Sequence, residues 1–320
     1  MAKPLYFNKE GLFTIAQFTD IHWKDGSEKD LLSRSLMERV LLDEKPDLVV
    51  FTGDIIYTGY VSAGEAVCTA PVKALMEAVD TVESLGIPWA YTFGNHDAEP
   101  ESPATKEDLM KAILGTRYTV TPPASGQGPG TYKLEVLGAD SQASAALFLL
   151  DSGNRSPFPG LPGYAWVNRS QIGWFEQESL ALPRLADGKP VPACAFFHIP
   201  LPEYREVWET QVCYGHRHEP VCCPPVNSGL FAAMAEAGNM LGVFVGHDHV
   251  NDYWGELHGI RLCYGRASGH NTYGWEGFPR GARMIRLYEG ERRIDTWLRL
   301  EDGTKVTEQP RHEPDAGKQG

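Results

Sequence analysis

The chain has 320 residues, 42% hydrophobic and 22% charged, which excludes wholesale disorder and leaves ample apolar material for a core. Its longest apolar runs, Leu48–Phe51 and Ala145–Leu150, fall far short of the roughly 20 residues that cross a bilayer, so no membrane segment is predicted. Lys and Arg number 29 against 42 Asp and Glu, and the resulting net charge of −13 excludes a broad basic surface for nucleic acid.

The first ten residues hold no apolar h-region and no small-residue cleavage site, so no secretory signal is read and a cytoplasmic location is expected. Phe13–Thr19 is a buried strand by its apolar run, and it ends in Asp20-Ile21-His22. Leu31, Leu32, Leu36, Val40 and Leu41 fall at helical spacing over Asp30–Leu42, and Pro46 stops that helix. Leu48–Thr52 is a second strand and ends in Gly53-Asp54. A helix over Ala70–Leu85 is capped by Gly86. Pro88–Phe93 is a third strand and ends in Gly94-Asn95-His96-Asp97, with a helix at Lys106–Leu114. Thr131–Leu137 and Ala145–Leu150 read as strands, Asp151–Tyr164 as a surface loop and Gln171–Leu182 as a helix. Val191–Phe197 is a strand that ends in His198, and Pro202–Pro225 is irregular and polar, a length that marks a functional or mobile loop. Ser228–Ala237 is a helix capped by Asn227 or Ser228, and strand Leu241–Val245 ends in Gly246-His247-Asp248-His249. Ile260–Tyr264, Ala282–Tyr288 and Asp295–Leu300 are further strands. With no repeat and no linker, residues 1–300 are expected to form a single domain, and the polar residues 301–320 to fray.

The cysteines at 68, 194, 213, 222, 223 and 263 include no Cys-x-x-Cys pair, which argues against a zinc ribbon or a thioredoxin motif. Reduced thiols are expected, with a Cys213 bridge to Cys222 or Cys223 as the lesser alternative.

Five predicted strands thus end in metal-ligand chemistry, and in open α/β sheets sites lie beyond the carboxyl ends of strands. Asp and His suit borderline divalent metals, and Asn adds a neutral oxygen. The donors suffice for two metals sharing one carboxylate, which can hold a phosphoryl oxygen and a bridging hydroxide together. Two divalent ions against Asp20 and Asp54 leave a formal charge of about +2, so an acidic chain can still attract a phosphate.

The five blocks, in this order, resemble those of the calcineurin-like metallophosphoesterases: Asp-x-His, Gly-Asp, Gly-Asn-His-Asp, a lone His, and Gly-His-x-His. They run from Asp20 to His249. Leu150-Asp151-Ser152-Gly153, Phe197-His198-Ile199-Pro200 and Asn227-Ser228-Gly229 resemble the purple-acid-phosphatase-like branch that carries Asp-x-His. The resemblance implies an α/β fold of two mixed sheets flanked by helices, a four-layer αββα sandwich. It implies that Asp20, His22, Asp54 and His249 bind one metal, and that Asn95, His198 and His247 complete a second that Asp54 bridges. His96 would protonate the leaving oxygen, and Asp97 would orient His96. The metals would be divalent or mixed-valence manganese, iron or zinc, and the reaction hydrolysis of a phosphate ester by a metal-bound hydroxide. True purple acid phosphatases have Asp-x-Gly first and a metal-bound tyrosine in Gly-Asp-x-x-Tyr. Here His22 is taken as the ligand and Tyr57 as packing, so a colourless protein is expected.

A phosphomonoester substrate is favoured over a diester. A non-catalytic metal- or phosphate-binding protein and a two-metal amide hydrolase are the readings from other classes. His216 and His218 are read first as a solvated loop, with substrate contact or a third metal site as alternatives. Arg266 and His270 are candidates for the cleft. Asp151 is expected to anchor a turn, Asp248 and Asp252 to support the last histidines, and Tyr164, Trp166, Trp174 and Phe175 to pack.

Overall fold

The computed structural model describes residues 4–59, 68–124, 126–185 and 187–314. The first part of the chain forms β1 (Leu5–Tyr6), β2 (Leu12–Phe18), α1 (Glu28–Glu44), β3 (Leu48–Thr52), α2 (Pro71–Leu85), β4 (Trp89–Thr92) and α3 (Lys106–Leu114). Next come β5 (Tyr132–Leu137), β6 (Ala143–Leu149), α4 (Arg169–Ala181), β7 (Ala193–Phe196), α5 (Glu203–Thr210), β8 (Cys213–Tyr214) and α6 (Leu230–Ala237). The rest is β: β9 (Met240–Val245), β10 (Trp254–Leu257), β11 (Ile260–Tyr264), β12 (Gly281–Tyr288), β13 (Ile294–Leu300), β14 (Lys305–Val306) and β15 (Arg311–His312).

Local chemistry fixes the helix ends. Ser27 and Asp30 form a capping box on α1, Thr105 and Asp108 on α3, and Asn168 and Gln171 on α4. Gly86 closes α2 in the left-handed conformation, at φ 70°.

The strands assemble into two mixed sheets. One has nine strands in the order β1-β5-β6-β7-β9-β11-β10-β8-β15, the other six in the order β14-β13-β12-β2-β3-β4. Alternate residues of each strand point to opposite faces. Phe13, Ile15 and Val50 of the smaller sheet meet Leu147, Phe196 and Phe244 of the larger one in a central core. The opposite faces are covered as well. Ala16, Val49 and Trp89 pack under α1, α2 and α3, while Phe148, Ala195 and Val243 pack under α4, α5 and α6. The result is the four-layer αββα sandwich.

Several elements differ from the sequence expectation. The segment Pro202–Pro225 holds α5 and β8, and α5 buries Tyr204 and Val207. Helix α6 starts at Leu230 behind a left-handed Gly229, without a side-chain cap; Asn227 Oδ1 instead accepts the Gly229 N–H at 2.9 Å. Of the tail expected to fray, residues 301–314 are paired, and 315–320 lie outside the described residues. Residues 301–314 form β14 on β13 and β15 on β8, and the His312 ring stacks 3.8 Å from Trp208. All six cysteines are unpaired, and Cys213 points its thiol at Val207 O, so the Cys213 bridge does not form. Among the described residues, no helix is long and apolar enough to cross a membrane.

Polar side chains stitch the two sheets together. Gln17 Nε2 on β2 donates to Thr52 Oγ1 and, across the sandwich, to Val245 O at 3.1 Å. Thr92 Oγ1 on β4 donates to Leu150 O at 2.9 Å. Arg283 on β12 is fully buried and donates to Tyr264 O, Asp252 O and Thr296 Oγ1. Replacing it strands these acceptors away from water. Arg283→Met is therefore expected to lower stability by about 3 kcal/mol or more, read from the urea midpoint at unchanged slope.

Candidate metal centre

Strands β2, β3 and β4 of one sheet and β7 and β9 of the other point their carboxyl ends at one place. The loops after them carry Asp20 and His22, Asp54, Asn95 to Asp97, His198, and His247 and His249. The chain turns sharply as it leaves β2, β3 and β9. Asp20, His22, Asp54 and His247 all have φ between 52° and 77°, where side chains other than glycine are uncommon. Such strain persists only where surrounding contacts hold it. Here Asp20 N and His22 N donate to Gly53 O and Asp54 O, and His247 N donates to the Asp20 carboxylate at 3.0 Å. Gly246 is needed for this closeness, because a Cβ there would lie 1.9 Å from Thr19 Oγ1 and 2.7 Å from Asp20 Oδ2.

The side chains fall into two groups, Asp20 with His22 and His249, and Asp54 with His198 and His247. Within each group the donor atoms lie within 4.8 Å of one another, and all six residues are buried. Asp54 stands between the groups, its Oδ2 3.0 Å from His198 Nε2 and 3.6 Å from His22 Nε2. His198 Nδ1 faces Thr52 O at 2.9 Å, which gives that nitrogen the hydrogen and leaves Nε2 facing the site. His22 Nε2 and Asn95 Oδ1 are buried with no hydrogen-bond partner, and Asp54 Oδ2 has only the His198 Nε2 contact at 3.0 Å. Unsatisfied buried donors and acceptors are costly, and all three atoms are of metal-ligand type. The residues present therefore fit a pair of transition-metal ions.

Electrostatics agree. Burial opposes the charge on Asp54, but His198 and His96 outweigh it and hold its carboxyl well below the usual range. Asp20 is likewise lowered, its burial overcome by His249 and His198. Burial opposes a proton on His198, yet Asp54 and Asp20 draw it up to about 10, while burial and His198 press His247 down to about 3.

One assignment differs from expectation. Asp97 does not touch the His96 ring. Its carboxylate accepts the N–H groups of Asp54, Ile55, Ile56 and Gly94, so it ties the two loops together. Burial and the charge of Asp54 raise it to about 6. The partner of His96 is Glu99, whose Oε1 meets His96 Nδ1. Tyr164 packs, as expected, against the His247 ring, 4.4 Å between centroids in a T-shaped contact.

The remaining candidates lie elsewhere. Arg266 pairs with Asp252 and covers the Phe278 ring, and His270 pairs with Glu301 at 3.1 Å. Asp248 accepts from Tyr264 and from Cys222 N, so Asp248 and Asp252 brace loops instead of the histidines. His216 stacks on His218, which stacks on Trp275, and among the described residues they belong to no third donor group. Asp151 accepts Gly153 N as expected and also pairs with Lys106.

Above the donors lies a cavity of about 310 Å³, lined by His22 and His249 below and by Lys24, Tyr57, His96, Asn271, Thr272 and Tyr273 around it. A larger cavity of about 640 Å³ beside Pro88 and Tyr118 is remote from this chemistry. Lys24 and the 271–273 segment carried no sequence signal, because they approach the donors only through the fold.

A family model described as calcineurin-like phosphoesterase matches residues 13–251. The chain belongs to the calcineurin-like phosphoesterases. It is 35% identical to probable inactive purple acid phosphatase 29 of Arabidopsis thaliana, over 94% of this chain and 85% of that protein. It is 30% identical to phosphatase DCR2 of Saccharomyces cerevisiae, over 95% of this chain but only 56% of that one. A dimetal phosphatase from Danio rerio shares the calcineurin-like fold at a TM-score of 0.57 and 15% identity, over 93% of this chain and 99% of that one.

Tyr57 lays its ring against His22, 5.3 Å between centroids at 23°, and packs 4.6 Å from His96. This geometry makes Tyr57 a wall beside the donors. Iron-loaded protein is accordingly expected to show no intense visible tyrosinate-to-iron band; a purple product in the absorption spectrum assigns Tyr57 to the metal.

Proposed function

We propose that this chain is a dinuclear-metal phosphatase that hydrolyses phosphomonoesters. The observation that carries the reading is the pair of donor groups meeting at Asp54, with His22 Nε2 and Asn95 Oδ1 left unsatisfied. Asp20, His22 and His249 would hold one ion, Asn95, His198 and His247 the other, and Asp54 both. Two such ions would supply Lewis acidity toward a phosphoryl oxygen and lower the pKa of a water from about 15.7 towards 7.

The chain's own residues supply the rest. His96 lines the cavity, with its backbone N–H held 2.7 Å from Asp54 Oδ1. It is placed to protonate the leaving oxygen. Burial opposes its charge, but Asp54 and Glu99 outweigh it and raise its pKa above the ordinary histidine value, the direction a general acid needs. Lys24 adds a cation at the rim. At about 310 Å³ the cavity is at the small end of ligand pockets, which favours one compact leaving group over the two substituents of a diester. Six unpaired thiols suit work in a reducing cytoplasm.

The Arabidopsis thaliana relative carries the word inactive in its name. In this chain the donors and His96 are all present, which supports turnover. Purified protein loaded with manganese, iron or zinc is expected to bind two ions and to hydrolyse phenyl phosphate faster than bis-phenyl phosphate. His96→Ala is expected to keep both ions and lose roughly 10²–10⁴-fold in kcat on an alkyl phosphate. Asp54→Ala is expected to lose the ions themselves. Two bound ions without turnover on either ester favours the non-catalytic reading, and no bound ions removes the metal centre altogether.

A further inference from the structure

His96 is gripped from several sides. Its Nδ1 meets Glu99 Oε1 three residues along the chain; the imidazole is 27% exposed, toward the cavity, and the carboxyl only 7%. The seat of that carboxyl is built by the loop after β3. Glu99 N donates to Thr58 Oγ1 at 3.0 Å, and Thr58 donates through both Oγ1 and N to His96 O. Residue 59 leaves the space: a Cβ on Gly59 would lie 2.0 Å from Glu99 Oε1 and 2.6 Å from its carboxyl carbon. The Tyr57 ring packs against His96 as well. Asp97, though adjacent to His96, is committed to four backbone N–H groups.

We propose that Glu99 is the positioning residue for His96, fixing its tautomer and ring plane so that Nε2 carries the transferable proton into the cavity. A carboxylate oxygen only accepts, so the Glu99 contact places the hydrogen on Nδ1 and leaves Nε2 for the substrate. This rests on His96 acting as the proton donor in the reaction proposed above. There, water supplies the oxygen that bonds to phosphorus, and its protons stay on the phosphate product or pass to solvent. The bond from phosphorus to the leaving oxygen breaks with its electron pair on that oxygen. The Nε2 proton passes to it, and His96 ends neutral with its Nδ1–H still on Glu99. The consequence is substrate choice. Poor leaving groups, the alkyl alcohols, need this proton, and activated aryl alcohols do not. Glu99 therefore suits the enzyme to alkyl phosphomonoesters.

Two readouts test this. In zinc-loaded protein with 15N-labelled histidine, the His96 Nδ1–H should give a downfield, exchange-protected proton signal. Glu99→Ala and Gly59→Ala should both remove it, and Glu99→Gln, which keeps an acceptor oxygen, should retain it at a smaller downfield shift. In kinetics, Glu99→Ala should lower kcat on an alkyl phosphate about 10–100-fold, yet on p-nitrophenyl phosphate less than about 3-fold, with KM and metal content unchanged. Glu99→Gln should restore most of the alkyl activity. Equal losses on both esters, or loss of metal, overturn the positioning role in favour of a structural one. A wild-type protein without the signal overturns the contact. Signal and metals present but no turnover on either ester overturns the phosphatase reading instead, and with it any catalytic meaning of the pair.

Discussion

The Asp54 carboxylate, fully buried between imidazoles from both sheets, is the constraint around which the molecule is arranged. A carboxylate in such a place is tolerable only if positive charge surrounds it. His198 reaches it from the nine-stranded sheet and His22 from the six-stranded sheet. The balancing charge comes from the nine-stranded sheet, because burial presses His22 well below its usual value while Asp54 and Asp20 draw His198 up. The sandwich must therefore close at its carboxyl edge, and the cross-sheet bonds of Gln17 and Thr92 hold it closed. The same closure brings ligand-type atoms from five strand ends within reach of two ions.

The strained residues follow from this demand. A side chain that leaves a strand and must turn back over its end needs an abrupt change of backbone direction. Asp20, His22, Asp54 and His247 take positive φ to make it. The compensation is visible in the backbone bonds between the first two loops and in the four N–H groups collected by Asp97. Asp97 is thus a keystone for the loops, and Glu99 is left for the imidazole.

Much of this was legible in the sequence. Leu48–Thr52, Lys106–Leu114 and Ile260–Tyr264 form at the limits their patterns indicated, because buried parallel strands and amphipathic helices leave strong periodic signals. The donor residues were legible because each stands at the end of such a strand. The partner of His96 was not. Adjacency pointed to Asp97, but neighbouring residues in a turn diverge, and the side chain that returns to the ring is three positions on. Helix α5 hides in a polar stretch because Tyr204, Val207 and Trp208 are its only apolar residues, with Tyr204 and Val207 buried and Trp208 packed partly buried beside them. Strand β10 is short and broken in pattern by Gly255 and Glu256. The tail strands β14 and β15 are two residues each, too short for any period, and form because β13 and β8 offer them an edge.

The net charge of −13 and the proposed anionic substrate are reconciled inside the site, not on the surface. Without ions, the charges of Asp20 and Asp54 favour a proton on His198, while its neighbour His247, 3.3 Å away, is held neutral. Ligation needs the bare Nε2 of His198, so ion uptake must release that proton. In the proposed enzyme, that exchange would replace a single positive charge with two divalent ions on the same two carboxylates. The local field would turn from net negative to positive, facing a cavity whose rim already carries Lys24. An acidic exterior does not prevent this, because at physiological salt surface charges are screened within about 8 Å, and the buried centre acts on the anion at contact.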